Sequence, residues 1–530
     1  MLDNIVTVDE SKSPAEILYS DVFNVAVPFI DRHINEGRKD KVAVSIHGGG
    51  EVTYETLAKH VNKSGNALLT LGLQKGDRLL MMVKDGIEFY YIFWGAIKAG
   101  IIPVPLNTLL RSKDYSYMIE NSEASCVIYS PEYISEVEMA FEETSHNPKI
   151  KLLTEGDGDS LAKHMSTASS DLSPAKTRPE DDCFWLYSSG TTGGPKGVVH
   201  AHKDMVVTSQ HYGVGILGIN NNDICFSAAK LFFAYGLGNA MTFPLWVGAK
   251  SVLFSGPPTP DICHEIIEEH KPTIFYGVPT LYAAQLKSME TNLDHAPDLS
   301  SIRVCTSAGE ALPPDLLKRW VDKTGIPLLD GIGTTEILHI FLSNQINNVQ
   351  PGASGLPVPG YQAKIVDDDE NEVATGETGS LMITGDSLLK HYWRNPDKTN
   401  ESLRNGWMYT GDTYYKDEKG FYFCCGRSDD MLKVGGIWCA PVEIENALVE
   451  HPKVLEAAIV GREDDEQLIK PEAFVVLNDA QDASEGLKTE LLEHCKNTLA
   501  RYKYPRWFNF VEDLPKTATG KIQRFKLRID

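Results

Sequence analysis

A chain of 530 residues with a net charge of −23 is too long for one small core and too acidic to attract nucleic acid or anionic lipid except through a local positive patch. Hydrophobic residues at 42%, charged residues at 23% and 28 dispersed prolines fit a folded multidomain enzyme and exclude a low-complexity chain. The nine cysteines lack metal-ligand spacing, and the adjacent Cys424 and Cys425 would point to opposite faces of a strand, so reduced thiols in a cytoplasmic protein are expected. The acidic N-terminus has no basic n-region of a secretory signal. Ile92 to Leu106 is the longest apolar stretch, and Lys98 and two prolines interrupt it, so no membrane span is expected.

In chain order, Tyr54 to Leu71 repeats apolar residues at helical spacing, Arg78 to Val83 is a short buried strand, Ile92 to Lys98 a helix and Ile101 to Pro105 a strand after Gly100. This alternation predicts an α/β fold with helices covering a parallel sheet. Leu152 to Asp182 is polar and predicts a surface connection. It leads from a strand over Cys183 to Tyr187 into YSSGTTGGPKG, residues 187–197. Glycines let backbone N–H groups turn toward an anion, the hydroxyls donate, and Lys196 adds a mobile positive charge. We read this stretch as a phosphate grip at a strand-to-helix crossover, where ligands collect in such sheets. It is not the ordinary nucleotide-triphosphatase loop, because Gly197 rather than a hydroxyl residue follows Lys196.

Beyond it, His200 to Leu217 predicts a helix, Ser251 to Phe254 and Thr273 to Tyr276 strands, and Asp261 to His270 the helix between them. Val304 to Glu310 and Pro327 to Glu336 each predict a strand ending in a small-residue turn, so two adjacent strands would open one nucleotide cleft. From Gln362 short strands predict a β-rich subdomain, and the charged GRSDDMLK stretch from Gly426 places a boundary at Ser428 and Asp429. The expected division is residues 1–428, an N-terminal domain of helix-covered sheets plus the β-rich subdomain, and residues 429–530, a small mobile α+β domain.

Six motifs then form a set: the grip, SAGE (307–310), DGIGTTE (330–336), YTGD (409–412), GRSDDMLKVGG (426–436) and PKTATGK (515–521). In order and spacing this set resembles the acyl- and aryl-CoA synthetases of the adenylate-forming superfamily over essentially the whole chain. KLFFAYGLGNAMTFPL, GTTEILHIFLSN, PLNTLL and GKIQRFKLR are similar to the benzoate-CoA ligase branch and its aromatic-acid relatives.

The resemblance implies ATP-dependent activation of a carboxylate to an acyl-AMP, release of pyrophosphate, and transfer of the acyl group to CoA. It assigns Ser188, Thr191, Thr192 and Lys196 to the β- and γ-phosphates, Ser189 and Gly190 to the nucleotide site, Thr335 to the α-phosphate and Glu336 to Mg²⁺. Ser307, Ala308, Gly309, Glu310, Asp330, Gly331, Ile332, Gly333 and Thr334 would shape the nucleotide pocket, and Asp412 and Arg427 would hold the ribose. Family members often carry an aromatic where Ile332 stands, so adenine would rest here on aliphatic contact. Lys521 would stabilise charge between carboxylate and α-phosphate. A hinge at Asp429 would then swing Gly435 and Gly436 against the site as part of the pantetheine tunnel. Trp438 lines that tunnel or packs in the core.

Ala234, Tyr235, Gly333, His339 and Ile340 match positions that face the ring in benzoate-CoA ligases. Small Ala234 and Gly333 would leave room, and Tyr235 and Ile340 would wall it. His339 either contacts the carboxylate or packs. A compact planar acid follows, benzoate first, with an alicyclic acid such as cyclohexane- or cyclohexenecarboxylate, or a substituted benzoate, as alternatives. Three rivals share parts of the pattern. A peptide-synthetase adenylation unit would pass its acyl group to a carrier protein, a luciferase-like enzyme would add oxygen chemistry, and a non-catalytic binder would be expected to lack Lys521 or Glu336. The chain is expected to act as a monomer or homodimer, with the acid and CoA as its partners.

Overall fold

A computed structural model describes residues 3–188, 195–291, 297–434, 437–464, 468–516 and 522–528. The mean pattern of the first third follows from its sequence. Thr53 caps the helix Tyr54–Thr70 by accepting from Thr56 N, and Gly100, at φ 82°, ends the helix Ile87–Ala99 in the left-handed conformation. These two helices cross so closely that a Cβ on Gly65 would lie 2.7 Å from the Gly95 carbonyl oxygen. Lys98 is buried in the second helix, with Nζ 2.7 Å from Asp31 Oδ1 and from Asn62 Oδ1. Among the described residues no helix is long and apolar enough to cross a membrane.

The largest sheet among the described residues has nine strands. From one edge they are Leu356–Pro357, Ile340–Ser343, Leu328–Gly333, Val304–Ser307, Ile274–Gly277, Ile224–Ser227, Lys250–Leu253, Val42–Ile46 and Glu51–Thr53. The six strands from Leu328–Gly333 to Val42–Ile46 run parallel, and the flanking pairs are antiparallel. A second, four-stranded parallel sheet contains Ile102–Pro105, Arg78–Met82, Cys126–Tyr129 and Ile150–Leu153. The connection after it is less irregular than its polar composition suggests, since Leu161–Thr167 is helical and buries Leu161 and Met165. The β-rich part is an antiparallel sheet of Tyr361–Val366, Gly379–Gly385, Trp407–Lys416, Leu403–Arg404 and Tyr422–Arg427.

One expectation is corrected. The segment after the grip is not a helix: Lys196–Ala201 is a strand paired antiparallel with Asp182–Ser188, so the grip joins two strands of a hairpin. The β-branched pair Val198 and Val199 explains this. Val198 packs into one core and Val199 into another, the alternation of a strand wedged between two apolar clusters. Helix begins only at Asp204, as Asp204–Thr208, and continues with wider turns through Ser209–Val214.

After the turn Ser428–Asp430 the chain builds a smaller α+β unit. Val454–Glu463, Ile469–Leu477 and Trp507–Phe510 form its sheet. Helices Pro441–Val449 and Glu485–Thr498 cover one face around Ile444, Leu448, Leu491 and Cys495, while Leu514 and Leu527 pack with Ala458 and Val460 in a separate cluster. Inside this unit Arg524 makes a forked pair with Glu445, and Arg524 and Arg528 both reach Asp430.

Candidate active site

The hairpin register sets Ser188 directly opposite Lys196 at the two edges of the grip. The strand Lys196–Ala201 also pairs with His391–Tyr392, which brings the Tyr392 hydroxyl to the same place. There Ser188 Oγ and Tyr392 OH both donate to Glu336 Oε1, at 3.3 and 2.9 Å. Residues far apart in sequence thus converge on one carboxylate. This all-oxygen group of hydroxyls and carboxylate is of the kind that shares Mg²⁺ with phosphate oxygens and waters, so the residues present fit the ion. Burial and the nearby Lys398 lower the Lys196 pKa, while Glu336 opposes them. Ser189, Gly190, Thr191 and Thr192 lie outside the described residues.

The Thr335–Glu336 turn is anchored from behind by a pair that the sequence did not single out. His200 is fully buried; its Nε2 lies 2.8 Å from the Thr335 carbonyl oxygen and its Nδ1 2.8 Å from Asp204 Oδ2. Asp204 also accepts from Ala201 N, so one carboxylate fixes both the ring and the end of the strand. Thr334 Oγ1 accepts from Ile337 N and Ser387 donates to the Ile337 carbonyl, closing the turn. His200→Ala strands a buried carboxylate and a buried carbonyl, and is expected to lower stability by about 3 kcal/mol. A urea titration reads that loss, and a raised KM for ATP with a smaller change in kcat would report the loosened turn.

On the two central strands Ser307 and Asp330 are register partners. Ser307 Oγ and Asp330 Oδ1 are buried without a hydrogen-bond partner, two orphaned polar atoms side by side at the strand ends. Such a pair suits the polar edge of a base. Burial raises the Asp330 carboxyl well above the ordinary carboxylate range. Ala308 is buried and Gly309 takes φ +99°, turning the chain toward Glu310. Gly331 and Gly333 are required by packing: a Cβ on Gly331 would lie 2.9 Å from the Leu342 carbonyl oxygen, and one on Gly333 2.5 Å from that of His339. Ile332, between them, is partly buried against the adjoining core.

Asp412 and Arg427 are cross-strand partners in the β-rich sheet, with Nη1 3.1 Å from Oδ1. Gly411 at φ +76° makes room, since a Cβ there would meet Arg427 Nη2 at 2.6 Å.

Ala234 and Tyr235 begin the short helix Ala234–Leu237; Tyr235 lies against His339, ring centroids 5.5 Å apart, while Ala234 packs on a separate apolar core cluster. The Tyr235 hydroxyl is engaged with Thr306 Oγ1 at 2.6 Å, leaving the ring face as an apolar wall. His339 is packed among Tyr212, Tyr235 and Phe243 and accommodated by Gly238, whose Cβ would lie 2.4 Å from its Cδ2. Its Nε2 faces two acceptors, Asn239 Oδ1 at 3.1 Å and the Tyr235 carbonyl at 3.3 Å, so it carries the hydrogen. Burial pushes the His339 pKa down to about 3. A neutral imidazole held this way packs and offers no charge to an acid's carboxylate. Ile340, 1% exposed, starts the strand that borders the pocket and packs into the core.

The small unit reaches this region through Ile522, whose backbone N–H donates to Glu310 Oε1 at 3.2 Å. Lys521 itself, with Gly435 and Gly436, lies outside the described residues. Of Asp429 and Trp438 only the backbone is described, in the turn Ser428–Asp430 and in the strand Ile437–Cys439. Burial and the neighbouring Glu456 raise the Glu310 pKa to about 7, against the opposing pull of Lys516 and the Ile522 N–H. Away from the small unit this carboxyl would return toward its ordinary value near 4.5. Docking then takes up a proton between pH 4.5 and about 7; it is favoured at the acid end of that window and weakens as pH rises through 7. The adenylation rate is expected to fall along that limb, and Glu310→Gln should flatten it in a pH–rate profile.

Residues 31–393 match the family model described as AMP-binding enzyme, and residues 443–521 match the AMP-binding enzyme C-terminal domain. The chain belongs to this AMP-binding enzyme family. A benzoate–CoA ligase of Thauera aromatica is 50% identical over 525 residues, covering 98% of each chain. Two solved structures superpose over 96% of this chain: an anthranilate CoA ligase in complex with anthranoyl-AMP, with TM-score 0.92, 41% identity and 97% of its own chain covered, and a benzoate CoA ligase from Burkholderia xenovorans LB400, with TM-score 0.88, 43% identity and 100% covered.

Proposed function

We propose that this protein is an ATP-dependent aromatic carboxylate–CoA ligase whose preferred acid is benzoate. The acid carboxylate attacks the α-phosphorus of ATP, the bond to the β-phosphate oxygen breaks, and pyrophosphate leaves. The CoA thiol then attacks the acyl carbon, and AMP departs as the thioester forms. Catalysis of the first step is charge neutralisation and in-line positioning. Ser188 and Lys196, with Ser189, Gly190, Thr191 and Thr192 of the grip, hold the terminal phosphates, Thr335 the α-phosphate, Ser307 and Asp330 the base, and Asp412 and Arg427 the ribose. Glu336 would hold Mg²⁺, which supplies further neutralisation of phosphate charge. Lys521 enters from a domain beginning at Asp429, and Gly435, Gly436 and Trp438 border the CoA path. Cytoplasmic location and a monomeric or homodimeric state complete the reading.

The observation that carries the choice of acid is the uncharged pocket: the Tyr235 hydroxyl is committed to Thr306, and His339 is neutral with its N–H engaged. A planar ring without an ionic substituent fits those walls. The test is a panel of benzoate, hydroxybenzoates, anthranilate and cyclohexenecarboxylate with ATP and Mg²⁺, monitored for pyrophosphate and, on adding CoA, for AMP. Benzoate is expected to give the highest kcat/KM. A higher value for another acid overturns the assignment of benzoate, and pyrophosphate release without CoA-dependent thioester overturns CoA as acceptor.

A further inference from the structure

Far from the nucleotide strands, the chain after strand Val42–Ile46 meets the end of helix Pro260–His270. Four strand spacings separate Val42–Ile46 from Val304–Ser307 in the sheet order, about 19 Å. At that meeting His47, Glu269 and His270 bring one ligand atom each to within 4.8 Å of one another, the one such group of His, Cys, Asp or Glu among the described residues. We propose that these three side chains bind a single divalent transition cation of zinc's chemical class.

The geometry supports the assignment in three ways. First, His47 Nδ1 lies 3.1 Å from Glu269 Oε2, and His270 Nε2 lies 3.5 Å from Glu269 Oε1. Metal–nitrogen bonds of about 2.0–2.1 Å in a tetrahedron set neighbouring ligand atoms about 3.4 Å apart, so these two pairs already have the required spacing, and the set, within 4.8 Å, would draw together around an ion. Second, both imidazoles are largely withdrawn from water, with side chains 10% and 12% exposed, yet His47 Nδ1 and His270 Nε2 make no hydrogen bond. Two buried ring nitrogens aimed at one carboxylate are costly unless something shares them. Third, Glu265, one helical turn before Glu269, sits 3.7 Å from the other nitrogen of His47. That is beyond hydrogen-bond distance, but it puts a carboxylate on the side of the ring where outer carboxylates orient metal-bound histidines.

Two imidazoles and a carboxylate favour a zinc-like ion over Mg²⁺ or Ca²⁺, which prefer oxygen donors. Glu265 and Glu269 remain exposed and give the ion an entry path, and water completes the shell. The ion would tie the helix end to the turn after Val42–Ile46 and leave the ligase chemistry untouched.

Cobalt(II) reports the site directly, because tetrahedral Co²⁺ absorbs visible light far more strongly than the aqueous ion. The full-length protein, stripped with chelator and kept free of CoA, is titrated with Co²⁺ and then with Zn²⁺. Expected are intense visible bands saturating at one Co²⁺ per chain, displacement by Zn²⁺, and at least tenfold weaker binding in Glu269→Gln and His270→Asn. Glu269 is exposed, so its variant should fold normally, which circular dichroism checks; the partly exposed His164→Gln should bind like the parent. Absence of the bands in the folded protein, bands that survive Glu269→Gln and His47→Asn, or thiolate charge-transfer bands placing the metal on cysteine would each overturn the proposal.

Discussion

Lys521→Ala is expected to reduce acid-dependent pyrophosphate exchange by about 10²–10³-fold, the usual cost of deleting one preorganised group that meets developing charge. Thioester formation from supplied acyl-AMP and CoA should stay within about twofold. The expectation rests on where the chain is tied on the C-terminal side of Lys521. Ile522 N donates to Glu310, and Arg524 is locked by its fork to Glu445. On the other side, Lys516 pairs with Glu456 at 2.6 Å and bridges across to Ile522. These ties fix Lys516 and Ile522, the described residues on either side of 517–521, with Ile522 against Glu310 of the proposed base pocket. An equal loss in both half-reactions would remove Lys521 from this role.

Asp429→Pro is expected to show the opposite split. The turn Ser428–Asp430 is a 3₁₀ segment, whose φ of about −50° to −70° lies within the range proline allows. The arrangement with Ile522 on Glu310 therefore stays accessible, while rotation about the Asp429 N–Cα bond stops. Proline also biases Ser428 toward extended backbone, a cost to the docked state that both assays share. The informative quantity is the ratio of rates: thioester formation should fall at least tenfold relative to pyrophosphate exchange. Unchanged rates in both assays would place the hinge elsewhere.

The parallel core was legible because Tyr54–Thr70, Ile87–Ala99 and the strands between them follow simple periodicities that burial enforces. The pairing of Val304–Ser307 with Leu328–Gly333 was legible too, since each strand ends in small residues that only a sheet edge requires. The hairpin after the grip was not, because Gly197-Val-Val-His-Ala has no polar alternation when both of its faces are buried. Apolar runs of that kind suit a helix as well as a strand, and the two cores that decide the matter are assembled from distant segments.

The same limit applies to the site. Glu336, Ser188 and Lys196 stand in motifs, whereas Tyr392 reaches Glu336 only because His391–Tyr392 pairs with Lys196–Ala201, a long-range contact without a local signal. His200 and Asp204, four apart, were a possible signal, since that spacing brings side chains together where a strand gives way to a helical turn. Gly333 was read as room for a ring; its smallness is already demanded by the His339 backbone.

The contact between Glu310 and Ile522 makes two events answer to each other. Glu310 belongs to the wall of the proposed base pocket and also receives the segment that carries Lys521. If docking of the small unit tightens ATP binding by a given factor, ATP must favour docking by the same factor, about 1.4 kcal/mol for each tenfold. Nucleotide arrival and docking of Ile522 on Glu310 are then one equilibrium seen from two ends, and because the adenosine part stays on the acyl-AMP, this hold outlasts the departure of pyrophosphate.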